Sequence, residues 1–114
     1  LDIYNLKIKD MEYNWIVSAM DVKLSEGEMK DVVYNIHWRR SAVDGEYSAE
    51  VYGTCPVGEP TPEQFVSYED LTKEEVESWL EANLDVEELN ANLAAQIELK
   101  KNPIDAQLPP PFNN

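Results

Sequence analysis

The stretch VVYNIHWRRSAVDGEYSAEVYGT, residues 32–54, decides the fold of this chain. At its centre Asp44-Gly45 is flanked by alternating residues, the strongest short-range hairpin signal, because a type I′ loop needs positive φ at both central positions. A two-residue loop there places Val43 opposite Glu46 and fixes the register outward. Ala42 then faces Tyr47, Arg40 faces Ala49, Trp38 faces Val51, Ile36 faces Gly53 and Tyr34 faces Cys55, all on one mostly apolar face. The other face pairs Ser41 with Ser48, Arg39 with Glu50, His37 with Tyr52 and Asn35 with Thr54. The opposite charges of Arg39 and Glu50 are not an input to this register and agree with it. Such a pair contributes only about 0.2–1 kcal/mol.

Upstream, Trp15 to Leu24 (WIVSAMDVKL) reads as a strand with Ile16, Met20, Val22 and Leu24 on one alternating face. SEGEMKD, 25–31, reads as a polar return loop around Gly27. Residues 1–10, LDIYNLKIKD, stand before a natural start at Met11 and read as an extension, non-native or an added strand.

Downstream, PVGEPTPEQFVSYED (56–70) is too rich in proline to be a central strand and reads as a crossover. Thr72 and Glu75 then form a capping box, with Leu71 and Val76 as its hydrophobic staple. Val76, Trp79, Leu80 and Leu84 recur at helical spacing. The signature repeats with Asp85 as N-cap, Glu88 at the third position and Leu84 stapled to Leu89. Leu89, Leu93, Ala94 and Ile97 make the inner stripe of this second helix. Lys100 and Lys101 suit the negative end of its dipole, and Pro103 forbids continuation. NPIDAQLPPPFNN follows as a polyproline-prone tail.

Strands first and helices after predict an α+β fold. The expected architecture is a small antiparallel meander of about three strands, a two-helix hairpin packed on one face, and an extended Pro-rich C-terminal tail. The corresponding organisation is an N-terminal extension (1–10), a single α+β domain (11–101) and the tail (102–114).

Length and charge narrow the function classes. The 114 residues suffice for one domain with a sizeable core. A single cysteine, Cys55, excludes an internal disulfide framework, and neither a membrane span nor a signal-peptide core is visible in the sequence. The expectation is a soluble protein of intracellular origin. The net charge of −14 is concentrated in residues 56–99, where twelve acids face Lys73 alone. Such a field repels nucleic acid and anionic membranes, so the expected partners are proteins.

His37, the only histidine, falls on the polar face beside Tyr52 and diagonal to Arg39 and Glu50. A general base needs an orienting partner and a nucleophile, and the nearest serines, Ser41 and Ser48, lie further along. The simpler account is that the polar face of a sheet carries a histidine. Cys55 falls on the core face as an inert thiol. One His and one Cys cannot supply a zinc site without carboxylates filling in, and no calcium loop or glycine-rich phosphate loop occurs. No enzyme, metal or cofactor is expected. Glu74, Glu77 and Glu81 follow helical spacing and read as a solvated face, with imitation of a phosphate backbone as the sharper alternative. LPPPF lacks a full PxxP or PPxY pattern. As an extended arm, the thirteen residues after Lys101 reach about 40 Å, enough to lie across a neighbouring subunit.

Trp15, DVVYNIHW (31–38), DGEYSAEVYGT (44–54), YEDLTKEEVESW (68–79), ANLAAQIELKKNP (91–103) and the proline-rich end occur in consistent order over about ninety residues. Together they resemble a family of small uncharacterised proteins of tailed bacteriophages, especially marine and environmental ones. Family members tend to begin near Met11 and often end in PPLPW-like sequence, where this chain has Pro109-Pro110-Pro111-Phe112-Asn113-Asn114. The resemblance brings no catalytic residues. It implies a phage protein made in the host cytoplasm late in infection. The leading expectation is a non-enzymatic virion or assembly component, such as a capsid-decoration or tail-associated subunit. Its contacts would run through His37, Arg39, Glu50 and Tyr52 on the sheet and Pro109, Pro110, Pro111 and Phe112 in the tail. The alternative is an acidic intracellular effector that binds a host protein, as a DNA mimic in its sharpest form.

Overall fold

The structure, a computed structural model, describes residues 11–112, so the reading of residues 1–10 lies outside the described residues. Strands β1 (Glu12–Glu26), β2 (Met29–Asp44) and β3 (Tyr47–Pro56) form an antiparallel sheet in the order β1-β2-β3. A single 3-10 turn at Tyr68–Asp70 and helices α1 (Lys73–Asn83) and α2 (Val86–Lys101) follow. This is the expected α+β order. The helix starts are those read from the sequence: the Thr72 hydroxyl accepts from Glu75 N–H at 3.2 Å, and the Asp85 carboxylate accepts from Glu88 N–H at 3.1 Å.

Both helices bury their apolar stripes against the same face of the sheet. Val76 and Leu80 of α1 join Trp15, Val33, Ile36, Trp38 and Cys55 in one cluster. Leu93, Ala94 and Ile97 of α2 join Met11, Ala42 and Ala49 in a second, nearer the β2–β3 turn. Val51 packs against both, so the two clusters make one continuous layer. Full burial of each such Leu or Ile side chain is worth about 1.5–3 kcal/mol, which makes this layer the dominant favourable contribution.

The hairpin register differs from the expected one by two residues. Asp44 pairs with Tyr47, Ala42 with Ala49, Trp38 with Gly53 and Ile36 with Cys55, so the turn residues are Gly45 and Glu46. Of these two only Gly45 has positive φ, at +60°, the pattern of a type II′ turn with glycine at its first position. Asp44 stays in the ladder because it is ion-paired to Lys101 at the end of α2, and Lys101 also lies over the Tyr47 ring. A slip of two preserves the alternation, so every hairpin residue down to Ile36 keeps its predicted face. Arg39 now stands opposite Tyr52, and His37 opposite Thr54. The Arg39–Glu50 ion pair still forms, diagonally, at 2.6 Å.

The expected loop at 25–31 is a tight turn instead: Glu26 pairs with Met29, and Gly27 takes φ +63°. Two register shifts correct the reading of β1. Ser18 is an extra residue between the pairs Val17–Trp38 and Ala19–His37, so the inward set changes from Trp15 and Val17 to Met20 and Val22. Ile16 therefore points outward, and Leu24, with the inward parity, lies exposed near the turn. Tyr34 is the extra residue on β2 and is exposed rather than facing Cys55.

Candidate functional site

The helices leave the other face of the sheet open, and that face carries the polar residues singled out in the sequence. Arg39 is its centre. Its neighbours across the ladders are Ile16 on β1 and Tyr52 on β3. Its guanidinium carbon lies 5.9 Å from the centroid of the Tyr52 ring while Nη1 holds Glu50. Tyr52 is 78 % exposed, an unusual position for a large aromatic side chain. Ile16 and Val43 add exposed apolar surface to the same face.

One rung along, His37 is held by β1 rather than by Tyr52. The Asp21 carboxylate lies 2.8 Å from His37 Nε2 and accepts from Asn35 Nδ2 at 2.9 Å. The Ser18 hydroxyl donates to the His37 backbone oxygen at 3.1 Å, so it is engaged with the main chain and not with the imidazole. A relay of nucleophile, histidine and acid needs the hydroxyl on the ring. The arrangement is a cross-strand polar clamp. Asp21 is on the outward side of β1 in the expected alternation, but the residue pattern sets no β1–β2 register, so its place beside Asn35 and His37 is not legible from sequence.

The clamp has a consequence for pH. Hydrogen bonds from Asn35, and then from His37, hold the Asp21 carboxyl below its ordinary pKa. A depressed folded-state pKa gives stability that is present above the unfolded carboxylate value and lost as pH falls through the folded one. Asp21→Asn is thus expected to melt below the wild type at neutral pH. The gap should close progressively as pH falls below about 4. Melting curves across pH 2–7 check this, and a gap independent of pH would contradict it.

At the far end of the sheet from the hairpin turn, the crossover after β3 leaves a pocket of about 440 Å³ walled by Val33, Val57, Phe65, Leu71 and Trp79. Asp31 and Glu59 stand at it, and Asp31 takes φ +53°, in the left-handed region that aspartate tolerates better than most residues. From the sequence these residues fall separately in a return loop, a strand, the crossover, a helix staple and a helix stripe, and nothing in the pattern brings them together.

A third feature lies on the covered face. Arg40 is buried between Tyr13 and Trp15, with its guanidinium carbon 4.6 Å from the Trp15 ring centroid, and Nε donates to Asn90 at 3.1 Å. Burial lowers its pKa, and the nearby Glu81 and Glu77 oppose that shift. The Cys55 thiol, 1 % exposed, is pushed up in pKa by burial. Among the described residues no three His, Cys, Asp or Glu side chains are grouped so as to hold a metal ion. No helix there is long and apolar enough to cross a membrane.

The tail residues Pro109, Pro110, Pro111 and Phe112 are exposed, so the predicted contact residues fall into two groups: a patch on the open sheet face and an arm beyond α2. Among the described residues, fold and surface define a small sheet-and-helix module with one face of the sheet covered and the other open. By its sequence the chain belongs to the domain-of-unknown-function family DUF7936, whose model matches residues 10–111. No curated protein and no solved structure matches it.

Proposed function

We propose that this chain is a non-enzymatic binding protein of a tailed bacteriophage, a minor particle component or an assembly factor, acting through protein–protein contacts. The observation that carries the reading is the open sheet face. It displays Tyr52 and Ile16 around an Arg39–Glu50 pair, the mixture of exposed aromatic, aliphatic and arginine side chains that protein interfaces favour. The phage setting comes from the sequence resemblance. Mass spectrometry of purified particles of the encoding phage is expected to detect the chain at a fixed ratio to the major particle proteins. Its absence from particles would exclude the particle-component version.

A second reading rests on charge. Residues 56–99 carry a net −11, twelve acids against one lysine, which suits an effector that occupies a basic site on a host protein. The helix carboxylates are not all turned to solvent, however. Glu77 lies 3.6 Å from Lys73, and Glu81 accepts from the Trp15 indole at 3.4 Å. This leaves Glu74 as the freest of the three expected contact acids. Changing Glu74, Glu77 and Glu81 to lysine should abolish salt-sensitive capture of a host protein on this reading, with the melting temperature of the variant checked alongside.

A further inference from the structure

We infer that the C-terminal arm of one copy seats in the crossover pocket of a second copy. This rests on the reading of the arm as a contact element and names its socket. Beyond Asn102 the described chain has no helix or strand, and Ile104, Leu108 and Phe112 are 84, 80 and 80 % exposed. Three large apolar side chains at regular intervals on an extended segment are costly in water unless they meet a surface. The run Pro109-Pro110-Pro111 stiffens the segment before Phe112, so little conformational entropy is lost when it docks. After Lys101 the arm carries one charge, Asp105, so another copy of a chain with net charge −14 repels it only weakly.

The pocket matches it in character and size. Val33, Val57, Phe65, Leu71 and Trp79 give it apolar and aromatic walls, and about 440 Å³ has room for the Phe112 ring together with neighbouring arm residues. The geometry of the chain favours a second copy over self-docking. Helix α2 ends at the hairpin turn, where Lys101 pairs with Asp44, whereas the pocket lies by Val33. Eleven residues of β2 separate these points, about 36 Å at about 3.3 Å per residue. Residues 102–112 span about 34 Å as polyproline, so reaching the pocket of the same chain leaves no slack. Docking on a neighbour removes that limit, and reciprocal exchange closes a twofold dimer in which each copy gives an arm and receives one.

The test uses the full chain. Sedimentation equilibrium is expected to show a dimer that tightens as salt rises, because screening relieves repulsion between two acidic bodies while leaving apolar contacts in place. Phe112→Ala and Leu108→Ala alter exposed side chains, so each should leave the fold intact by circular dichroism and weaken the dimer at least tenfold. With benzoylphenylalanine at position 112 and a mixture of ordinary and ¹⁵N-labelled chains, mixed-isotope crosslinks should land on residues 57–66 or Trp79. A monomer at all concentrations and salts, crosslinks confined to single chains, or mixed crosslinks landing away from the pocket would each overturn the inference. The open sheet face is read by separate variants in phage particles, so its success or failure is independent of this result.

Discussion

Trp38→Ala is expected to lower the unfolding free energy by about 3–5 kcal/mol, the range for deleting a large buried aromatic. Trp38 is 6 % exposed, packs edge-to-face on Trp15 with ring centroids 5.7 Å apart, and lies in the cluster that receives α1. Its cross-strand partner is Gly53, and a methyl group placed on Gly53 would come within 2.9 Å of Trp38 Cζ2. Gly53→Ala should therefore cost about 1–3 kcal/mol, because a fully packed indole cannot yield that space. The diagnostic result is the double mutant. With Trp38 truncated the methyl has room, and alanine gains the roughly 0.5–1 kcal/mol by which it exceeds glycine in a strand. Gly53→Ala should thus become neutral or stabilising in the Trp38→Ala background. Additive losses in a denaturant-based cycle would contradict the packing described here. Trp38→Phe should be milder than Trp38→Ala, since the ring is largely kept and the buried indole N–H has no partner among the described residues.

Arg40→Ala is expected to cost about 2–4 kcal/mol, through the loss of a shielded cation–π stack and of a charge-assisted hydrogen bond. The stack involves Tyr13 and Trp15 and the hydrogen bond goes to Asn90 of α2, so this side chain ties β1 and β2 to the second helix. Arg40→Met should recover much of the loss. A methionine refills the space of the stem, and replacing a buried ion by an apolar group of similar volume is often near neutral. Arg40→Lys should recover less, because an ammonium lacks the planar fork that stacks on Trp15 while donating to Asn90. Chemical denaturation of the three variants checks the order. Equal stability of Arg40→Ala and wild type would contradict a structural role for the cation.

The sequence made the helical half legible because its signals are local. Caps, staples and stripes act over three or four residues, and Thr72, Asp85, Val76, Leu80, Leu93 and Ile97 take the positions expected of them. The hairpin faces were equally readable, since a two-residue slip cannot move Trp38 out of the core or Arg39 into it. What stayed hidden depends on distant parts of the chain. Asp44 is drawn into the ladder by Lys101, far along the sequence. The Ser18 and Tyr34 bulges exchange faces on β1 and β2 without any glycine or proline to mark them. Those two bulges account for the misassignment of Ile16 and Tyr34, whereas the Asp21–His37 clamp was unforeseen because no local signal sets the β1–β2 register. The crossover pocket was invisible for a separate reason, since it forms only where the 57–71 segment is brought against the start of β2 and Trp79 of α1.

The central claim is that the open sheet face is the working surface. Under the phage setting proposed above, it is tested most directly by counting the chain in phage particles after Tyr52→Ala and Arg39→Glu substitutions. Both side chains are exposed, so the variants should stay folded, with melting temperatures close to wild type. The account predicts that quantitative mass spectrometry will find particle-bound chain reduced at least tenfold in each variant. Full incorporation of both folded variants would contradict it.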